Sequence, residues 1–193
     1  MTREKDEILG FWFGSEGEPG YGEFRKEWFA AEPQYDREIR DRFLETYARA
    51  RAGRLEHWRG HPRSALALVI VLDQFSRNMF RGSAAMYEAD DKAFAVAEDA
   101  LENGYNHELP PFQRWFLYMP FVHSEDIDDQ WQVKELFREL EEDQPGDAQY
   151  QDWHLKTIER FGRFPHRNEI LGRQSTPEEA EFLEEQDRRR EET

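Results

Sequence analysis

One segment of the chain, LDQFSRNMFRG at 72–82, combines charged and amide side chains with the most apolar part of the sequence. A spacing of four residues recurs among its polar positions, which places the paired groups on one side of a helix. Arginine forks suit carboxylate and phosphate oxygens, so this pattern indicates anion binding. The alternative is a structural ion pair between Asp73 and Arg77 at the end of a buried helix. The polar residues concerned are Asp73, Gln74, Arg77, Asn78 and Arg81.

A second segment, YMPFVHSED at 118–126, places His123 in a loop between apolar residues. A histidine changes charge near neutral pH, which suits proton transfer. The acids that follow, Glu125 and Asp126, are explained by a helix start, where carboxylates complement the helix dipole.

A third segment, RFGRFPHRN at 160–168, is a basic loop whose path is fixed by glycine and proline. Loops carry function more often than helices do, and positive charge here opposes the acidic character of the whole chain. Its arginines could equally pair with surface carboxylates. Its candidate residues are Arg163, His166, Arg167 and Asn168, with His154 one helix earlier.

We therefore expect four arginines to converge on a small anionic molecule or an anionic peptide end, with amide groups orienting it. The arginines are Arg77, Arg81, Arg163 and Arg167, and the amides are those of Gln74, Asn78 and Asn168. The complete predicted ligand-binding set is Asp73, Gln74, Arg77, Asn78, Arg81, His123, Arg163, His166, Arg167 and Asn168.

Two alternatives to anion binding stay open, an enzyme and a metal site. In the first, a hydrolase or acid–base enzyme acts on an anionic substrate, with His123, His154 or His166 as general base and Asp73 orienting it. This requires a histidine nitrogen within hydrogen-bond reach of the carboxylate. In the second, a divalent metal is held by histidines and Glu125, but the helical spacing typical of such sites is missing. We predict no metal and no cofactor.

A third possibility is an interaction scaffold whose polar cluster is a closed structural network. Every guanidinium would then pair internally, and exposed tryptophans would favour a protein-binding surface. The tryptophans in question are Trp12, Trp28, Trp58 and Trp131.

The composition of the chain argues against several classes of function. The 193 residues carry 42 acids against 26 bases, a net charge of -16, which argues against binding nucleic acid or an anionic membrane. The absence of cysteine excludes disulfides and thiolate chemistry. The longest apolar run, at 65–72, is too short to span a bilayer. We expect a cytoplasmic protein, and its oligomeric state is not predicted.

The elements that must position these residues are helices. The run ALALVIVL at 65–72 is apolar all round and predicts a central buried helix, in preference to a strand that would have no partner. Proline and glycine mark most of the other boundaries. The predicted helices cover 4–13, 35–52, a segment from 62, 90–103, 112–119 ended by Pro120, one capped by Ser124 and ending at 140, one capped by Asp147 and ending at 161, and a last one opened by the capping box at 176–179.

We therefore predict an all-α fold: one domain over 1–183, of about eight helices packed as helical hairpins, followed by a charged, frayed tail at 184–193. The domain resembles stacked tetratricopeptide-like hairpins, without a regular repeat of that consensus.

The chain also resembles a bacterial family known as domain of unknown function family 924. The resemblance covers nearly the whole chain and implies an all-helical, tetratricopeptide-like fold with no established activity. The matching stretches are ILGFWF at 8–13, LDQFSRNMFRG at 72–82, YMPFVHSED at 118–126, RFGRFPHRN at 160–168, LGR at 171–173 and STPEE at 175–179.

Overall fold

The computed structural model describes residues 2–28, 31–143 and 148–191. Regular secondary structure in these ranges is entirely helical, which confirms the predicted fold class. The helices are α1 (Thr2–Phe13), α2 (Pro33–Arg51), α3 (Pro62–Val69), α4 (Ser76–Met79), α5 (Asp90–Glu102), α6 (Pro111–Val122), α7 (Ile127–Asp143), α8 (Ala148–Phe161) and α9 (Pro177–Glu191).

Helices α3 and α4 are joined by a π-helical turn, Ile70–Phe75, into one continuous central helix over 62–79. Eight separate helices are thus present in the described residues, as the sequence predicted. Every residue from Ala65 to Leu72 is at most 1% exposed. Helices α1, α2, α5 and α6 pack around the central helix and bury it on all sides, which explains why its sequence lacks a polar face.

The following helices pack in chain order, α5 against α6, α6 against α7 and α7 against α8. This pairing of neighbours is the expected consequence of short connections. The tetratricopeptide-like arrangement stays a prediction. Within the described parts of the chain, none of the helices combines the length and the apolar composition needed to span a bilayer.

Pro120 does not end α6, contrary to the prediction, because the helix continues to Val122. A proline inside a helix costs about 3 kcal/mol through its missing N–H and its steric clash. The residues after it, Phe121 and Val122, are fully buried, and each such burial contributes about 1.5–3 kcal/mol. The backbone N–H of His123 also donates to the Met119 carbonyl at 3.0 Å. Packing therefore outweighs the local penalty.

Helix α7 begins two residues later than predicted, and its capping residue is Asp126 rather than Ser124. The Asp126 Oδ1 atom accepts a hydrogen bond from the backbone N–H of Asp128 at 2.8 Å, which satisfies a free donor of the first turn. Ser124 instead donates to the Asp129 carboxylate at 2.5 Å. Asp147, the predicted cap of α8, lies outside the described residues.

The capping box of α9 is confirmed. The Glu179 N–H donates to Thr176 Oγ1 at 3.2 Å, and the Thr176 N–H donates to Glu179 Oε2 at 2.7 Å. Helix α9 continues through most of the predicted tail, as far as Glu191. Fraying of residues 184–193 stays a prediction.

Candidate functional site

Asp73 lies on the π-helical turn of the central helix and is fully buried. Its Oδ2 atom accepts a hydrogen bond from Gln74 Nε2 at 2.6 Å. Its Oδ1 atom is 2.8 Å from His123 Nδ1 and 3.0 Å from Arg77 Nη1. The structure therefore brings together four predicted site residues from two distant segments of the chain.

The charges within this cluster follow from its surroundings. Burial by itself would raise the pKa of the Asp73 carboxyl, but Arg77 and His123 outweigh it and hold this pKa at about 2. Burial and the Arg77 charge lower the pKa of His123 to about 4, although Asp73 opposes this shift. At neutral pH the carboxylate is therefore ionised and the imidazole neutral. Since Nδ1 faces a carboxylate, it must carry the proton, which leaves a lone pair on Nε2.

Arg77 also binds Asp90, at the start of α5, through two parallel hydrogen bonds of 3.0 Å. Such a bidentate pair occupies one acceptor site on each carboxylate oxygen. Arg167, from the basic loop, reaches the same carboxylate only at 3.9 Å, beyond hydrogen-bond distance. Its guanidinium lies between two aromatic rings, 4.8 Å from the centre of Tyr87 and 4.5 Å from that of Phe164.

Arg167 is a buried cation whose charge is only partly neutralised. The residue is 7% exposed, and its Nη2 atom donates to the backbone carbonyl of His123 at 2.9 Å. Its buried Nε atom has no acceptor among the described residues. Burial and the nearby Arg77 charge lower the pKa of this guanidinium. A buried donor left without a partner costs about 1–3 kcal/mol, so an additional acceptor here would be stabilising.

Arg81 and Asn78 do not join this cluster, contrary to the prediction. Arg81 donates to both oxygens of Asp36 on α2, at 2.7 and 3.0 Å, and Asn78 donates to the same carboxylate at 2.8 Å. The spacing of four residues does not place Arg81 beside Arg77, because α4 ends at Met79 and Arg81 lies beyond the helix.

Arg163 and Asn168 also lie elsewhere, at the start of α9. Arg163 donates to both oxygens of Glu179, at 2.6 and 2.8 Å, and Asn168 reaches Glu179 Oε2 at 3.3 Å. The Arg163 hydrogen bonds lower the pKa of Glu179 to about 2. The predicted convergence of four arginines is therefore wrong: Arg77 and Arg167 meet at Asp90, while Arg81 and Arg163 pair with separate carboxylates.

The remaining histidines form an aromatic cluster instead of a site around Asp73. His154 is buried with its ring centre 5.6 Å from that of Phe164, and the exposed His166 is 6.0 Å from Trp153. Of the three histidines considered as general base, His123 is the one that contacts Asp73.

The metal alternative receives no support. Glu125 accepts two hydrogen bonds from Arg173, at 2.6 and 2.9 Å, and a third from the Phe164 N–H at 2.7 Å. Among the described residues, no three histidine or acidic side chains are grouped as a metal site would require.

Sequence reasoning missed Asp90, Tyr87 and the Glu125–Arg173 pair. Asp90 was recognised only as part of a helix start, and Tyr87 carries no local signal. Arg173 belongs to a motif of the resembling family, but its partner is 48 residues away and no spacing rule connects them.

The helices and the ion pairs that link them define an all-helical, single-domain protein. The chain belongs to the family described as bacterial protein of unknown function, DUF924, whose model matches residues 8–187. It is also similar to the solved structure of ATU0120, a protein of unknown function from Agrobacterium tumefaciens. That likeness has a TM-score of 0.82 and 36% identity, and covers 94% of this chain and 97% of the other. The comparison with curated proteins found no match.

Proposed function

We propose that this protein, acting in the cytoplasm, binds a small anionic molecule or an anionic peptide end at Arg77 and Arg167, beside His123. The proposal is carried by Arg167, a buried guanidinium whose Nε donor has no acceptor in the described residues and whose charge is only partly neutralised. Guanidinium groups recognise carboxylate and phosphate oxygens through such donors.

The charges support an anion at this point. Asp90 is engaged by both nitrogens of Arg77, so it neutralises Arg167 only weakly at 3.9 Å. A guest carboxylate or phosphate would supply acceptors for Arg167 without breaking the Arg77–Asp90 pair. The flanking rings of Tyr87 and Phe164 hold the guanidinium plane in place, so little side-chain entropy is lost on binding.

Thermal unfolding in phosphate, sulfate and acetate, each compared with chloride at equal ionic strength, tests this proposal. A ligand at a hundred times its dissociation constant stabilises by about 2.7 kcal/mol, which raises the midpoint by about 5–11 °C in a chain of this size. We expect the rise to disappear in Arg167→Gln and to persist in Arg81→Gln, the matched control whose arginine pairs with Asp36. A rise that survives Arg167→Gln, or no rise with any anion, would contradict the proposal.

A second candidate function, acid–base catalysis on an anionic substrate, is favoured by one observation. The 2.8 Å contact between His123 Nδ1 and Asp73 is the arrangement in which a carboxylate orients a general base. The test is turnover of p-nitrophenyl phosphate and of a carboxylate-bearing nitrophenyl ester. Turnover lost in a folded His123→Asn variant would support catalysis, and its absence in the wild type would count against it.

The scaffold alternative has mixed support, because Arg77, Arg81 and Arg163 pair with internal carboxylates as it requires, whereas most of the tryptophans considered are not exposed. Trp12 and Trp58 are buried and Trp28 is half-buried, whereas Trp131 is 46% exposed. Trp131 has the exposed Ile127 one turn before it on α7 and Lys134 over its ring, so the apolar surface at this point is small.

A further inference from the structure

Anion binding by the two arginines does not account for the unshared lone pair on His123 Nε2. The imidazole donates from Nδ1 to Asp73, and its side chain is 13% exposed. In the described residues, the side-chain hydrogen bond of His123 is made by Nδ1, and none is made by Nε2. An acceptor at the edge of a site is a recognition element, because it selects a ligand that carries a proton.

The two arginines and the imidazole are held as one unit. Arg77 and His123 share the same oxygen of Asp73, at 3.0 and 2.8 Å. Arg167 donates to the carbonyl of His123 itself and shares Asp90 with Arg77. Arg77 is thus connected to the imidazole through the Asp73 carboxylate, and Arg167 binds the backbone of the same histidine, so the three side chains belong to one cluster.

We infer that the ligand is a hydroxy acid: its anionic group binds Arg167 and Arg77, and its hydroxyl group donates a hydrogen bond to His123 Nε2. This inference rests on the proposed anion binding and names the ligand class for that site. An ammonium group could also donate to Nε2, but the two guanidinium charges repel it. A hydroxyl group is neutral and satisfies the same acceptor at no electrostatic cost.

The inference is tested with matched pairs of ligands, glycolate against acetate and lactate against propionate, by calorimetric titration at constant ionic strength. A neutral hydrogen bond contributes about 0.5–1.5 kcal/mol, so the hydroxy acid should bind up to about tenfold more tightly. In His123→Asn the shorter amide retains a donor for Asp73 and lacks the distal acceptor. The preference should therefore fall to about one in this variant.

A second readout does not depend on any variant. In wild-type protein labelled with ¹⁵N-histidine, the Nε2 resonance of His123 should move when glycolate is added and stay in place with acetate. Equal affinity for both members of each pair, with no ¹⁵N response, would overturn the inference and leave anion binding intact. Failure of all four acids to bind would overturn the inference, and failure of phosphate and sulfate as well would overturn the proposed anion binding.

Discussion

At the scale of single residues, the two arginines of the site have opposite energetic roles. Arg77 neutralises Asp73 and Asp90, both of which are largely buried. Among the residues that the structure describes, Arg167 meets no free carboxylate, and it adds positive charge beside Arg77. Arg77 therefore stabilises the folded state, whereas Arg167 is positioned by the residues that surround it.

Substitution of the two arginines should separate these roles. Arg77→Gln leaves two carboxylates without their cation and should lower the free energy of unfolding by about 3–5 kcal/mol, as is usual for one half of a buried pair. Arg167→Gln removes a poorly compensated charge and should cost about 1 kcal/mol or less. Urea unfolding measures both values. Equal losses would mean that Arg167 is a structural ion-pair partner.

Acidification should weaken the protein through His123. Its pKa is about 4 in the folded protein, below its ordinary value of 6.5, so the unfolded state binds the proton more tightly between these values. The stabilisation is present above pH 6.5 and is lost as the pH falls to 4, on the order of 3 kcal/mol in total. Asp73, with a folded pKa of about 2, continues the loss below its unfolded value of 3.8.

Urea unfolding at pH 7, 5.5 and 4.5 measures this dependence. In His123→Asn the loss between pH 6.5 and 4 should become much smaller, whereas the exposed His61→Gln should behave like the wild type. An identical pH dependence in His123→Asn would assign the effect to other groups.

The sequence predicted the Asp73–Arg77 pair because a four-residue spacing on a helix makes the contact local. It also singled out His123 and Arg167, from their unusual neighbours. Their actual partners lie 50 and 44 residues away along the chain, and no periodicity specifies such contacts. These contacts depend on packing of the central helix against α6 and on the position of the basic loop beside the end of α6.

At the scale of elements, proline and glycine placed most helix boundaries correctly, since they act through local backbone sterics. The left-handed conformation of Gly162, with φ at 66°, ends α8 as predicted. Pro120 is the exception, because burial of the next residues is a tertiary effect. The π-helical turn at Ile70–Phe75 carries no local signal either, although such turns occur frequently at functional sites.

The capping box of α9 allows a prediction at this scale. Thr176→Ala removes the side-chain acceptor of the Glu179 N–H and should lower the free energy of unfolding by about 1 kcal/mol. The exposed Gln174→Ala should change it by less than about 0.5 kcal/mol. Hydrogen exchange should locate the loss in α9 and in the Arg163–Asn168 loop that Glu179 binds. Uniform loss of protection over the whole chain would contradict a local role.

At the scale of the whole molecule, the sequence predicted the fold class because apolar periodicity and composition are global signals. The same acidic composition gives the molecule a net charge of -16. The excess carboxylates repel one another in the compact folded state and destabilise it. An anion must approach its site against this field, so the site depends on short-range contacts with guanidinium groups.

Salt should therefore stabilise the protein by screening. Raising NaCl from about 10 mM to about 150 mM shortens the Debye length from about 30 Å to about 8 Å, and the unfolding temperature should rise by a few degrees. The unfolding temperature of Arg167→Gln should rise by the same amount, because screening does not depend on this arginine, whereas chloride binding at the site would. A rise confined to the wild type would indicate that chloride occupies the site.

The long sequence separations within the site also set an order of events during synthesis. The ribosome releases Asp73 together with the most apolar helix of the chain, and His123 follows 50 residues later. At 5–20 residues per second this interval lasts about 3–10 s. Arg173, which ties the basic loop to Glu125, emerges another 48 residues after that carboxylate. During these intervals Asp73 lacks His123 and Glu125 lacks Arg173. The site can therefore reach its native arrangement only after the residues beyond 163 have been synthesised.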